Sequence, residues 1–176
     1  MRTPIVDTTT KILITGHTRG IGKSIFEWFE LFPCDVAGAS KSNGFDISKP
    51  DDRSRVVELA SKSNIFVNNA FSDYDSSQND VLSSLLETPG SLHTIINISS
   101  NTKKNGRYGL LKKELNDICN EYLGPVHLIN LKPGYVDTHR VKNVNLPKMD
   151  VQEVVDIMEF CLSHKLKISE IEFSCR

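Results

Sequence analysis

Lys11-Ile12-Leu13-Ile14-Thr15-Gly16-His17-Thr18-Arg19-Gly20-Ile21-Gly22 is the stretch on which the fold turns. A short apolar run ends in three closely spaced glycines and passes directly into a helical repeat. Gly16 permits a tight turn, Gly20 lets the backbone approach a pyrophosphate, and Gly22 lets the helix lie close to the strand. The start of that helix presents free N–H groups and a partial positive charge to the phosphates. A plain strand-to-helix turn is the bland alternative, since one or two glycines are common there. Gly22-Lys23-Ser24 also resembles the end of a P-loop, but that motif needs its first glycine at position 17, which is His17. The P-loop reading fails on spacing.

Outward from this turn the chain alternates strand-like and helix-like runs. Lys11–Thr15 reads as a strand, and Ile21–Phe32 repeats Ile21, Ile25, Trp28, Phe29 and Phe32 at helical spacing. Val36–Ala39 is a second strand, Ser40–Gly44 a very short link, and Phe45-Asp46-Ile47 is expected as a third, brief strand. Strands are further expected at 64–68, 93–99, 126–131 and 168–173, with helices at 51–61, 76–87, 107–123 and 151–162. Pro89-Gly90 and Gly124-Pro125 stop two of the helices. Residues 1–10 read as a loose, Thr-rich lead-in, and 11–176 as a single domain. Alternating β and α with short links implies an α/β fold: a Rossmann-type, doubly wound parallel sheet with helices on both faces. Right-handed crossovers bring the strand ends, and any ligand, to one edge.

Bulk properties narrow the function classes. The chain has 176 residues, 39% hydrophobic and 24% charged, which suits one packed α/β domain. A formal net charge of −1 with no basic face argues against a nucleic-acid partner. No apolar stretch reaches membrane-spanning length and no signal-peptide core opens the chain, so a cytoplasmic protein without a membrane partner is expected. Cys34, Cys119, Cys161 and Cys175 are scattered and read as reduced thiols. The five histidines show no ligand spacing, and no metal site is expected.

Six motifs, in order, resemble the short-chain dehydrogenase/reductase family over about Lys11 to Phe173. They are Thr15-Gly16-x-x-x-Gly20-Ile21-Gly22, Asp46, Asn68-Asn69-Ala70, Asn97-Ile98-Ser99-Ser100, Tyr108-x-x-x-Lys112, and Pro133-Gly134-Tyr135-Val136-Asp137-Thr138. The resemblance implies a nicotinamide cofactor held by Gly16, Thr18, Arg19, Gly20, Ile21, Gly22, Ser40, Lys41, Asp46, Asn68, Asn69, Ala70, Tyr108, Lys112, Pro133, Gly134, Val136 and Thr138. It implies catalysis by Ser100, Tyr108 and Lys112 on a small-molecule carbonyl or alcohol. Pro133-Gly134 would shape the backbone beside the nicotinamide, and Thr138 would hydrogen-bond its carboxamide.

The chemistry agrees with those roles. Tyr108 and Lys112, four apart on a helix, share a face. An ammonium beside a phenol stabilises the phenolate and makes the tyrosine a workable acid and base. A serine hydroxyl at a strand end can bond a carbonyl oxygen as charge develops on it. Ser99 and Ser100 point to opposite faces of an extended strand, and family alignment favours Ser100. Tyr108 and Lys112 as a solvated surface pair is the bland alternative, and Asp46 could instead cap the next helix. His17 reads as a loop residue. The end of the second strand, Ala39-Ser40-Lys41-Ser42, carries no carboxylate. With Arg19 nearby it suits a 2′-phosphate, so NADP(H) is favoured over NAD(H).

Departures from the family pattern are local. Phe71 stands where the family has glycine after Asn68-Asn69-Ala70. Ser100 and Tyr108 are only eight residues apart, and about a dozen residues follow Thr138 before the next helix. The open site that results suits a bulky substrate. The family's additional asparagine has only Asn79 as a weak counterpart. A homo-oligomer is implied by the family, while the short 76–87 helix offers little for its usual helix-bundle contact. The leading expectation is an NADP(H)-dependent carbonyl reductase or alcohol dehydrogenase. The alternatives are a non-catalytic NADP(H)-binding sensor or interaction module, and an epimerase or dehydratase that uses the cofactor transiently.

Overall fold

Apolar residues two apart face the same side of a strand, and this alternation builds the molecule. The computed structural model describes residues 6–73, 75–102, 105–164 and 167–175. Its strands are β1 (Lys11–Thr15), β2 (Asp35–Ala39), β3 (Ile65–Asn68), β4 (Thr94–Ile98), β5 (His127–Pro133) and β6 (Glu170–Phe173). Its helices are α1 (Gly20–Phe29), α2 (Pro50–Ser61), α3 (Ser77–Glu87), α4 (Arg107–Glu121) and α5 (Val151–Ser163). The strands form one sheet in the order β2-β1-β3-β4-β5-β6, parallel throughout.

Ile12, Ile14, Ile65, Val67, Ile96, Ile98, Ile129 and Leu131 pack on one face with Ile25 and Phe29 of α1 and Val155 and Met158 of α5. Leu13, Phe66, Ile95 and Leu128 pack on the other with Val56 of α2, Val81, Leu82 and Leu85 of α3, and Leu115 of α4. Helices therefore cover both faces, as the doubly wound reading requires. The winding reverses at β1: β2 lies on one side of it and β3 on the other. That reversal opens a crevice at the strands' carboxyl ends, where ligands settle in open α/β sheets.

One expected element is absent. Residues 45–47 form no strand, so β2 is the sheet edge. The polar chain just before them closes on itself instead. Ser40–Gly44 is a helical turn in which Asn43 Oδ1 accepts from the Ser40 N–H (2.8 Å) and Asn43 Nδ2 donates to the Gly38 carbonyl (2.7 Å). Asp46 Oδ1 then accepts from the Ser48 hydroxyl at 2.7 Å, making a turn rather than a ladder. Ile47 is buried against the α2–α4 face and Phe45 packs beside it.

The lead-in lies partly outside the described residues. Of the remainder, Val6 is buried with the α1–α5 cluster. Asp7 accepts from the Thr9 N–H at 2.9 Å and from the Thr9 and Thr10 hydroxyls at 2.7 and 2.9 Å. Packing against the core thus begins before Lys11.

A row of buried asparagines crosses the α2–α4 face of the sheet. Asn68, Asn97 and Asn130 are register partners on β3, β4 and β5. Asn68 Nδ2 donates to Asn97 Oδ1 (3.0 Å), and Asn97 Nδ2 donates to Asn130 Oδ1 (2.9 Å). Asn130 Nδ2 donates to Oδ1 of Asn116 on α4 at 3.0 Å. Each amide in this apolar layer is satisfied by the next, as buried polar groups must be.

Candidate active site

The crevice at the reversal is a cleft of about 670 Å³ that runs from the glycine turn to α4. Gly16 and Gly20 both have positive φ (69° and 55°), a conformation that L side chains rarely adopt. A Cβ on Gly22 would overlap the Gly16 carbonyl oxygen and Asn69 Nδ2, so Gly22 sets how closely α1 lies under the turn. The turn is braced from β3. Thr15 Oγ1 donates to the Val67 carbonyl (3.1 Å) and accepts from the Asn69 and Ala70 N–H groups (3.0 Å each). Asn69 Nδ2 donates to the Thr15 carbonyl at 3.0 Å. The N-terminus of α1 has no side-chain cap. It shares this with α2, α3 and α4, whereas α5 is capped by Asp150, which accepts from the Gln152 N–H at 2.8 Å. Uncapped N–H donors above a positive-φ turn are what an anionic diphosphate needs.

Of the residues singled out above, Gly16, Thr18, Arg19, Gly20, Ile21, Ser40, Lys41, Asp46, Asn69, Ala70, Tyr108, Lys112 and Thr138 line this one cleft. Gly22, Asn68, Ser100, Pro133, Gly134 and Val136 stand outside its lining. Asn68 belongs to the asparagine row. The Pro133 carbonyl accepts from the Asn101 N–H at 3.2 Å, and the Gly134 N–H donates to Phe173 at 2.8 Å. Val136 is buried and pairs with Met149. Ser100 is buried, and its hydroxyl accepts from the Thr102 N–H at 3.2 Å. Ser99 lines the cleft, while its hydroxyl donates to Asn116 Oδ1 at 2.6 Å.

At the far end of the cleft, Lys41 Nζ pairs with Asp46 Oδ2 at 3.1 Å. The bond from Ser48, ahead of this pairing, holds the Asp46 carboxyl below its usual range. The β2 end has no carboxylate in its own sequence, but folding brings Asp46 there from seven residues past Ala39.

The α4 end is built around Lys112, which is buried although charged residues seldom are. Its ammonium donates to Gln78 Oε1 at 2.8 Å and to the Ile98 carbonyl at 3.1 Å, and lies 4.5 Å from the Phe71 ring centroid. Burial first, and the Arg140 charge second, bring its pKa down to about 7. Gln78 in turn donates to the Asn68 carbonyl at 2.7 Å and the Ile98 carbonyl at 3.1 Å. Asn79 instead turns to α4, donating to the Leu111 carbonyl (3.2 Å) and Glu114 Oε2 (2.9 Å). Gln78 is thus the α3 residue that touches Lys112, and no motif announced it. The one available signal was the polar triplet Ser77-Gln78-Asn79 at the start of α3.

Phe71 meets Tyr108 edge-on, with ring centroids 5.2 Å apart. The Arg140 guanidinium lies 4.9 Å from the Phe71 centroid and 5.5 Å from that of Tyr108, and it forms an ion pair with Asp73. These aromatic and charged contacts also escaped the motif reading. His17 covers Gly38, where a Cβ would overlap the imidazole, and burial lowers its pKa. Among the described residues no cluster of His, Cys, Asp or Glu could hold a metal ion, and no helix is long and apolar enough to cross a membrane.

No protein-family model matches the chain, and no curated protein matches it in sequence. Solved structures do match in fold. A short-chain dehydrogenase from Burkholderia cenocepacia in complex with NADP superposes with a TM-score of 0.77 at 18% identity, covering 96% of this chain and 90% of that one. A 3-alpha-hydroxysteroid dehydrogenase from a Pseudomonas species complexed with NADH gives 0.77 at 15% identity, covering 93% and 94%. L-sorbose reductase from Gluconobacter frateurii, complexed with NADPH and L-sorbose, gives 0.69 at 15% identity, covering 98% and 97%. At such identities the likeness shows the fold: this chain has the Rossmann-type architecture of short-chain dehydrogenase/reductase structures.

Proposed function

We propose that this chain is an oxidoreductase of the short-chain dehydrogenase type, using NADP(H) in preference to NAD(H) to interconvert a carbonyl and an alcohol. The observation that carries the reading is that Tyr108 and Lys112 share one cleft with the Gly16–Gly20 turn. The residues present fit a dinucleotide. The uncapped α1 start and the positive-φ glycines suit the pyrophosphate, Arg19, Ser40 and Lys41 suit a 2′-phosphate, and Lys112 suits a ribose hydroxyl. When bound, the nicotinamide supplies or accepts the hydride.

The remaining work falls to side chains. The Tyr108 hydroxyl gives its proton to the carbonyl oxygen as the alcohol forms and takes one back in reverse. Lys112 orients the bound ribose and, with a pKa of about 7, holds or releases a proton near neutrality. Ser100 is assigned to the carbonyl oxygen. Asn69 and Thr15 keep the glycine turn and the β3 end in fixed relation.

Titration with NADPH and NADH, followed by turnover on a mixed aldehyde and ketone panel, tests the reading. NADPH is expected to bind more tightly, and Tyr108→Phe is expected to abolish turnover, by about a hundredfold or more, while sparing cofactor affinity. Full activity in Tyr108→Phe would refute the mechanism. A second reading, a non-catalytic NADP(H) sensor, draws on one observation: the Ser100 hydroxyl is engaged by the Thr102 N–H outside the cleft lining. Tight NADPH binding without oxidation across the panel would favour it.

A further inference from the structure

The link between β5 and α5 sends Thr138, His139 and Arg140 to the cleft. Of these, Arg140 reaches the reacting end, where its guanidinium rests on both Phe71 and Tyr108. Rings on the flat of a guanidinium fix its plane and leave its edge N–H groups to fork onto a planar anion. One such anion is already there. Asp73, from the β3–α3 link, places its carboxylate on Arg140 Nη2. Both side chains are about half exposed, at 46% and 58%, and such a pair exchanges readily with competing anions.

The charges at this end are unevenly matched. The Arg140 guanidinium and the Lys112 Nζ lie over the Phe71 ring, 4.9 and 4.5 Å from its centroid, and Asp73 is the carboxylate among the described residues that pairs with Arg140. The other carboxylate of the cleft, Asp46, is at the far end with Lys41. We infer that Arg140 selects substrates that carry a carboxylate, and that this carboxylate takes the place Asp73 now holds on the guanidinium beside Tyr108. The substrate class is therefore an oxo acid or hydroxy acid, which rests on the oxidoreductase reading for its carbonyl but not for its anion. Asp73 occupies the seat in its absence, which keeps the guanidinium in plane and sets a threshold that neutral carbonyl compounds gain nothing by crossing.

The test is calorimetric titration of the NADPH-loaded protein with 2-oxobutanoate and 4-oxopentanoate, each against its methyl ester. At least one acid is expected to bind tenfold or more tightly than its ester. Asp73→Asn is expected to tighten that acid about threefold or more. Arg140→Gln is expected to reduce the acid to the level of its ester, and Arg140→Lys, which keeps charge but loses the fork, to fall between. NADPH affinity and thermal melting of each variant report whether it is folded. Equal binding of acids and esters, an acid preference that survives Arg140→Gln, or no binding of either acid by Asp73→Asn would each overturn the assignment. The two readings fail separately. Acids that bind as expected without NADPH oxidation remove the reductase and leave the anion site, while esters reduced as well as acids do the reverse.

Discussion

Replacing Lys112 with Met tests the central electrostatic claim about the cleft without needing a substrate. The Lys112 pKa falls from an ordinary 10.5 to about 7 because folding buries the ammonium, with Arg140 adding repulsion. Below pH 7 both folded and unfolded chains carry this proton. Between about 7 and 10.5 the unfolded chain binds it and the folded chain does not, so stability rises with pH at about 1.4 kcal/mol per unit. The whole interval corresponds to about 5 kcal/mol, and the part between pH 7 and 9 to about 2–3 kcal/mol. Above pH 9 Cys119 and Cys161 act oppositely: burial raises their thiols to about 12 and about 11, so the unfolded chain loses those protons first. Those thiols and His17 are common to wild type and Lys112→Met, so the difference between the two proteins from pH 6.5 to 9 isolates Lys112. Met matches the lysine's unbranched shape and does not titrate. Urea unfolding of both proteins at half-unit steps should show wild-type stability climbing by about 2–3 kcal/mol relative to Lys112→Met by pH 9. Curves that stay parallel to within about 0.5 kcal/mol would show that the folded lysine keeps its proton, and the reasoning would be refuted.

Three further outcomes follow from the same geometry. Gln78→Leu removes the acceptor from Lys112 and the donor from two buried carbonyls, and should destabilise the protein by about 3 kcal/mol or more in denaturant titrations, whereas Gln78→Glu should raise the Lys112 pKa in an NMR titration. Ser100→Ala should lower turnover about a hundredfold if its hydroxyl serves the carbonyl oxygen, while Ser99→Ala, which removes one of the two donors to Asn116 Oδ1, should act mainly on stability by about 1–2 kcal/mol; the opposite pattern in steady-state rates and melts would move the role to Ser99. Asp46→Asn releases Lys41, which is largely exposed, so the preference for NADPH over NADH in parallel titrations should rise only about two- to fivefold.

Much of the fold was legible because its signals are local. Ile12-Leu13-Ile14 followed by three glycines specifies strand, turn and helix within a dozen residues, and alternation along each apolar run places side chains on the two faces. Phe45-Asp46-Ile47 misled for the same reason in reverse. Two apolar residues around one polar one fit a strand or a turn equally, and the Asp46–Ser48 bond decides between them only in three dimensions. Asp46 reaching Lys41, Gln78 reaching Lys112 and Arg140 reaching Tyr108 are all contacts between separate elements. No spacing rule encodes them. Phe71 was visible as a departure, but its contacts with Lys112 and Arg140 depend on where those two side chains end up.

The asparagine row has a consequence for how the chain finds this one sheet. Ile-Phe-Val, Ile-Ile-Asn-Ile and Leu-Ile-Asn-Leu are nearly interchangeable as greasy strands, and sliding one past its neighbour by two residues would still bury oil against oil. Such a slip would strand an amide without a partner in the α2–α4 layer, at a penalty of about 1–3 kcal/mol for each orphaned group. Asn68, Asn97 and Asn130 work like alignment pins: they add little to the adhesion of the strands but reject every offset except the one that sets the three amides side by side across β3, β4 and β5. Ala70 and Ser99 sit just past the Asn68 and Asn97 pins and line the cleft, so its accuracy is inherited from side chains that never enter it.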